Sequence, residues 1–213
     1  MAAETHDEVS AEPSPLISFG VAMRALSGEA ESGDEFLVKS SGRGILVAAL
    51  DGLGHGPEAT RAARLGRAIL EAHAEESVLS LVGRCHAGLA RTRGVAMSLA
   101  LLHAHENSMT WSGVGNVEGV LLAGENSGRC RREWLMLRGG VVGYQLPPLR
   151  AAALPIRSGD LLIFCTDGIA TGFLEDVEAS DPPQAIADQI LARHGKRTDD
   201  ALVLVARYLG TSA

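Results

Sequence analysis

Ile45-Leu46-Val47-Ala48-Ala49-Leu50 is an unbroken apolar run, and it stops at Asp51-Gly52-Leu53-Gly54-His55-Gly56. Successive side chains of a strand point to opposite faces, so a strand with one wet face alternates apolar and polar residues. This run does not alternate. It predicts a strand covered on both sides, and therefore a sheet with a further layer on each face.

Working outward, residues 16–26 and 35–39 read as strands. Ser27 to Asp34 is turn-like, and Ser40-Ser41-Gly42-Arg43-Gly44 is a hairpin connection. On the other side, residues 57–74 carry Ala59, Ala62, Ala63, Leu65, Gly66, Ile69 and Leu70 at a spacing near the helical repeat, with Pro57 suited to the first turn. A second helix is predicted over 77–92, with Val78, Leu81, Val82, Cys85 and Leu89 on one face. These faces read most simply as core. The period then changes. Segments 95–103, 109–115, 117–123, 134–137 and 141–144 are short, separated by Gly, Asn or Ser, and read as an antiparallel meander. A second unbroken apolar strand, 160–166, ends at Asp167-Gly168. A helix over 182–194, with Asp181 as N-cap and Gly195 as C-cap, precedes a last strand over 201–208. This order is not the regular strand–helix alternation of a doubly wound fold. It predicts an α+β protein, a four-layer αββα sandwich of two antiparallel sheets flanked by helices.

Composition bounds the function. The 213 residues suit one domain with a short tail. Residues 1–15, acidic and carrying two prolines, read as a disordered N-terminal arm, and 16–209 as a single domain. Aromatics are only 4%, so the core is built mainly from Ala, Val, Leu and Ile. A net charge of −7 and no basic stripe beyond Arg129, Arg131 and Arg132 weigh against nucleic acid as a partner. Cys85, Cys130 and Cys165 are odd in number and widely spaced, which gives neither a disulfide framework nor a zinc knuckle. No signal peptide and no membrane span are read, so a cytoplasmic location without membrane contact is expected. Of the two tryptophans, Trp111 and Trp134, the simplest reading is burial in strands, with a partner surface as the other.

Three acidic sites sit at strand boundaries: Asp51 after one apolar strand, Asp167 after another, and Asp199-Asp200 before the last. If those ends converge, several carboxylates share one small volume. Like charges at that range do not all stay ionised unaided. A divalent cation resolves the conflict, and an all-oxygen set favours Mg²⁺ or Mn²⁺ over zinc. A single Asp-Gly after a strand is ordinarily a turn. On the residues alone, both readings stand. His55, in a loop of glycines, is either a structural hydrogen-bonding group or a group that trades protons near neutral pH.

The order Asp51-Gly-x-Gly-His-Gly after an apolar strand, then Cys165-Thr-Asp-Gly-Ile, then Asp199-Asp200 before a final apolar strand resembles the type 2C metal-dependent Ser/Thr phosphatases. The likeness is strongest to their SpoIIE-like bacterial branch, where Ser32-Gly33-Asp34 matches an early element. Residues 113–120 and 139–147 look like the middle of its short, stand-alone RsbX-like members, which reset stressosome scaffold proteins. The resemblance covers 16–209.

It implies two Mn²⁺ or Mg²⁺ ions and hydrolysis of phosphoserine or phosphothreonine by a metal-activated water. The expected ligands are Asp51 between both ions, the Gly52 carbonyl, Asp167 and Asp199, with Asp34 in the outer part of the site and Asp200 in support. Asp51, Asp34 and His55 are the expected catalytic residues. Expected substrates are phosphorylated signalling proteins, STAS-domain or stressosome regulators. Three positions depart from the pattern. Leu53 stands where many eukaryotic members carry His. The phosphate-binding Arg has no plain counterpart, Arg24 being the candidate. Leu202 replaces a common Thr. A non-catalytic pseudophosphatase that grips phosphoproteins is the rival reading, and an unrelated metal-dependent phosphodiesterase or nuclease a third.

Overall fold

The computed structural model describes residues 16–103, 106–123 and 132–210. The acidic arm 1–15, Arg129, Cys130 and Arg131 lie outside them. The described chain runs β1 (Ile17–Arg24), β2 (Asp34–Ser41), β3 (Gly44–Gly52), α1 (Pro57–Ala72), α2 (Val78–Gly88), β4 (Val95–His103), β5 (Ser108–Val114), β6 (Glu118–Leu122), β7 (Arg132–Trp134), β8 (Ala152–Pro155), β9 (Leu161–Cys165), α3 (Pro183–His194) and β10 (Ala201–Tyr208). One sheet has the order β1-β10-β9-β6-β7, the other β2-β3-β4-β5-β8, and every named pairing within them is antiparallel.

The unbroken runs occupy the centres of both sheets, and their two faces divide cleanly. In β3, Ile45, Val47 and Ala49 enter the core between the sheets, while Leu46, Ala48 and Leu50 face the layer of α1 and α2. In β10, Leu202, Leu204 and Ala206 belong to the inter-sheet core, while Ala201, Val203 and Val205 lie beneath α3. Each face is apolar because each is dry, and each large aliphatic side chain so buried stabilises the fold by roughly 1.5–3 kcal/mol. The layers are therefore α1/α2, sheet, sheet, α3: the expected αββα sandwich.

The helices end as local chemistry dictates. Pro57 opens α1, Ser77 Oγ accepts the Ser80 N–H at the start of α2, and Gly195 closes α3 by donating its N–H to the Leu191 carbonyl. Asp181 is not the N-cap of α3. That position falls to Pro182, with Pro183 as the first helical residue, and the Arg207 guanidinium takes the Asp181 carbonyl. On the outer edge of the sheet, Gln184 of α3 pairs with the backbone of Val21, accepting its N–H at 3.0 Å and donating to its carbonyl at 2.9 Å.

The expected meander is broken into two. β4 and β5 pair in one sheet and β6 and β7 in the other, so residues 115–117 carry the chain from sheet to sheet. Gly115 turns there at φ 96°, and Ser98 Oγ holds the Val117 carbonyl at 2.6 Å. Residues 141–144 form a tight turn, not a strand, with Gly143 at φ 103° and Val142 bridged to Val95. β8 is an edge strand missed by the sequence reading because its alanines are exposed and do not alternate. Trp111 is buried as expected. Trp134 is 53% exposed, and three-residue β7 lies at the edge of its sheet.

Candidate metal centre at one end of the sandwich

β2 and β3 are antiparallel neighbours, and so are β9 and β10. The start of one strand therefore lies beside the end of the other in each pair. Asp34 and Asp51 face each other in register. Thr166 and Asp167 leave β9 where Asp199 and Asp200 enter β10. The two pairs belong to different sheets, and Thr166 ties them together by donating its hydroxyl to Asp34 Oδ2 at 2.8 Å while accepting the Leu202 N–H at 2.9 Å. Close approach sets the turns. A Cβ at Gly168 would lie 1.8 Å from the Asp200 carbonyl oxygen, and one at Gly52 2.2 Å from the Ala59 carbonyl oxygen of α1. Any other residue would push the turns apart.

The carboxylates differ in their surroundings. Asp34 is 2% exposed. The register with Asp51 and the Thr166 bond hold its carboxyl in place. Burial pushes it well above the ordinary carboxylate range, the Asp51 charge adds to this, and the Thr166 bond opposes it. Asp51 is pushed up to about 7, first by burial, then by the charges of Asp167, Asp199 and Asp200, against a hydrogen bond from Asn116. Asp199 is raised too, by burial and then by Asp167. Asp200 is buried and accepts the Leu26 N–H at 2.8 Å and the Gly33 N–H at 3.0 Å, one on each oxygen.

Asn116, delivered by the sheet-to-sheet crossing, donates to Asp167 Oδ2 at 2.6 Å. Among the described residues no Lys or Arg side chain forms an ion pair with Asp34, Asp51, Asp167 or Asp199. Among those residues no three His, Cys, Asp or Glu side chains are placed to hold a metal ion together as they stand. Mg²⁺ characteristically keeps several waters and takes one or two carboxylates, so an open, all-oxygen, mutually repelling set fits it and does not fit zinc. His55 stands at the rim, its side chain 62% exposed and its Nδ1 3.0 Å from Glu29 Oε1. It lies close enough for its charge to ease the repulsion on Asp199. Arg24 reaches the Lys196 carbonyl, not the carboxylates.

The sequence reading did not single out Asn116, Thr166 or Lys196 as site residues. A polar side chain just after Gly115 in the crossing, and a hydroxyl closing an otherwise apolar strand, were the available signals. Lys196, whose Nζ donates to the Asp167 carbonyl at 2.6 Å, carried none.

The family model of Stage II sporulation protein E (SpoIIE) matches residues 41–209. The chain belongs to the SpoIIE family. Within and around the SpoIIE family, phosphoserine phosphatase RsbX of Bacillus subtilis (strain 168) is 30% identical over 94 residues, 44% of this chain and 47% of that protein. That match spans about half the length of the relative. A structure from work on the bacterial stressosome as a modular system controlling secondary messenger signalling aligns with TM-score 0.81 and 30% identity over 90% of this chain and 99% of that one. RsbX in complex with magnesium aligns with TM-score 0.82 at 21% identity, over 92% of this chain and 98% of that one. The type 2C phosphatase domain of SpoIIE from Bacillus subtilis aligns at 0.72 and 22%, over 92% of this chain and 64% of that one. The last two likenesses bear on the fold, which is that of the type 2C phosphatases.

Proposed function

We propose that the chain is a Mn²⁺- or Mg²⁺-dependent protein phosphatase that hydrolyses phosphoserine or phosphothreonine on bacterial signalling proteins, stressosome or STAS-domain regulators among them. The carrying observation is the meeting of Asp34, Asp51, Asp167 and Asp199 from two sheets, with Asp51 pushed up to about 7 by burial and by its neighbours. Family membership supports the reaction. The activity of RsbX and its solution with magnesium support the substrate class and the ion.

In this reading residues 16–209 act as one domain holding two ions. Asp51, with the Gly52 carbonyl, Asp167 and Asp199 supply the ligands. Bound there, divalent cations lower the pKa of water and neutralise charge building on a phosphoryl group. The chain's own contribution is orientation. Asn116 fixes the Asp167 carboxylate and Thr166 fixes that of Asp34, as outer hydrogen bonds do for metal ligands generally. Asp34 and Asp51, both raised above the ordinary carboxylate range, would have their repulsion offset by a bound cation's charge. His55 at the rim, paired with Glu29, hands a proton to the leaving oxygen. Among the described residues no helix is long and apolar enough to cross a membrane, and Cys85 and Cys165 are unpaired. Both features suit work in the reducing cytoplasm.

Hydrolysis of p-nitrophenyl phosphate with Mn²⁺, Mg²⁺ or EDTA tests the proposal, comparing the wild type with Asp167→Asn. Metal-dependent turnover lost in the variant is the expected result. Absence of turnover with every metal, on this ester and on phosphorylated STAS proteins, would leave a module that binds phosphoproteins without cleaving them.

A further inference from the structure

Two neighbouring cavities share lining residues, and the first is lined by Asp167. The inner one, about 270 Å³, has Asp167 and Thr166 at one end, with Asn116, Lys196 and Glu118 on its walls. The outer one, about 510 Å³, shares Glu118, Leu137 and Thr171 with it and continues to Trp134, Leu135 and Gly172. Side by side they extend from Asp167 to the Trp134 indole, with Glu118, Leu137 and Thr171 as their common wall, and we treat them as one groove.

The chemistry changes along it. At the inner end Lys196 is anchored by its backbone: its N–H donates to the Gly168 carbonyl at 2.7 Å, and its own carbonyl takes the Arg24 guanidinium. Its ammonium has three protons, of which the Asp167 carbonyl uses one. At the outer end the exposed Trp134 ring rests edge-on against Phe173, centroids 6.4 Å apart, and Phe173 is itself only 2% exposed. A large aromatic held on a fixed base, with Leu135 and Leu137 beside it, is the kind of surface on which binding energy concentrates. Between the two ends stands Glu118. With the aspartates, it makes the groove repel acidic groups other than one drawn to the metal centre and Lys196.

We propose that this groove binds the segment of a phosphoprotein around its phosphoserine, with Lys196 holding phosphoryl oxygens beside Asp167 and Trp134 receiving an uncharged, apolar side chain that flanks the phosphoserine. The proposal rests on the phosphatase reading and adds to it a substrate preference and a phosphate-holding residue. Arg24, committed to the Lys196 carbonyl, then supports the phosphate contact through Lys196. A phosphoryl group and its seryl carbon occupy the inner cavity. The outer cavity shares its wall with the inner one, and its Trp134, Leu135 and Leu137 suit an aliphatic or aromatic side chain.

The test uses the full chain and two phosphoserine peptides that differ in one flanking residue, leucine or glycine. Wild type is expected to favour the leucine peptide in kcat/KM by about tenfold, the scale of one well-placed aromatic contact. Trp134→Ala is expected to bring that ratio to about 1 by raising KM for the leucine peptide, and Trp134→Phe to restore much of it. Damage to the fold would lower both peptides together and keep the ratio, which would overturn the groove. Lys196→Gln is expected to raise the inhibition constant of inorganic phosphate about tenfold, and Lys196→Arg to recover it. Unchanged phosphate inhibition, with a higher metal requirement instead, would reduce Lys196 to a support for Asp167. No turnover with any cation, of p-nitrophenyl phosphate and of phosphorylated STAS proteins alike, would end the phosphatase reading by itself. The flank preference is then read as calorimetric affinity of the same peptides for wild type and Trp134→Ala. Equal affinities for the two peptides in the wild type would sink the proposal independently.

Discussion

The two halves of the carboxylate cluster are built in opposite ways. Asp34 and Asp51 sit in a continuous pair of strands, face each other in register, and are dry enough that burial is the first cause of their raised pKa values. Asp167 is exposed, on the turn where β9 gives way to Gly168, and Asn116 comes from the other side of the crossing to hold it. The inner half is fixed before any ligand arrives and carries a desolvation cost. The outer half is exposed, is held by Asn116, and carries little. A candidate cation site assembled this way has one buried wall that wants positive charge and one exposed wall that completes it.

Substitutions at matched positions separate the walls. Asp51→Asn is expected to cost more activity than the about 100-fold typical of losing an outer hydrogen-bond partner of a metal ligand. It should nonetheless raise the melting temperature of the EDTA-treated protein at pH 8. About 1 kcal/mol of relieved repulsion corresponds to about 2–4 °C in a domain of this size. Asp167→Asn should lose activity with almost no such gain, being exposed. Equal gains at both positions would erase the distinction.

Thr166→Val strikes the joint between the walls. It strips partners from a buried carboxyl and from the Leu202 N–H, and about 1–3 kcal/mol of stability should go with them in urea unfolding. Thr166→Ser should keep most of it. A Val variant as stable as wild type would mean that Asp34 finds another partner at no cost.

The gentlest probe is pH. Without cations the folded state keeps the Asp51 proton up to about 7, whereas an unfolded Asp releases it near its ordinary value of about 3.9. Between those values the folded protein binds more protons than the unfolded chain, so stability falls as pH rises through that window. Asp34 acts in the same direction. The melting temperature in EDTA should decline from about pH 5 to pH 8, and saturating Mg²⁺ should flatten the decline. A melting temperature in EDTA that climbed with pH would contradict the dry inner wall.

Much of this was legible in the chain. The unbroken apolar runs 45–50 and 161–165 announced strands covered on both faces, because a dry environment on each side leaves no reason to alternate. The Asp-Gly signals marked where those strands stop. The crossing at 115–117 was not legible: strands that change sheet have the same local pattern as strands that continue a meander. Trp134 misled for a related reason. An edge strand and a central strand share the same propensities, and only the sheet order shows which is which. Lys196 gave no sign, because its contact is with a backbone carbonyl and any long cationic side chain reads the same in a loop.

Asp200 grips the amides of Leu26 and Gly33 from 174 and 167 residues away along the chain, and Thr166 reaches Asp34 across 132. The first third of the polypeptide is thus tied by the last quarter. During synthesis the ribosome delivers every acid of the inner wall long before the strand that locks it, and contacts so distant in sequence form late and slowly. A chain cut short before Asp199 therefore lacks both that candidate ligand and the Asp200 bonds to Leu26 and Gly33. On the phosphatase reading, such an unfinished copy would have no means of removing phosphate from a substrate.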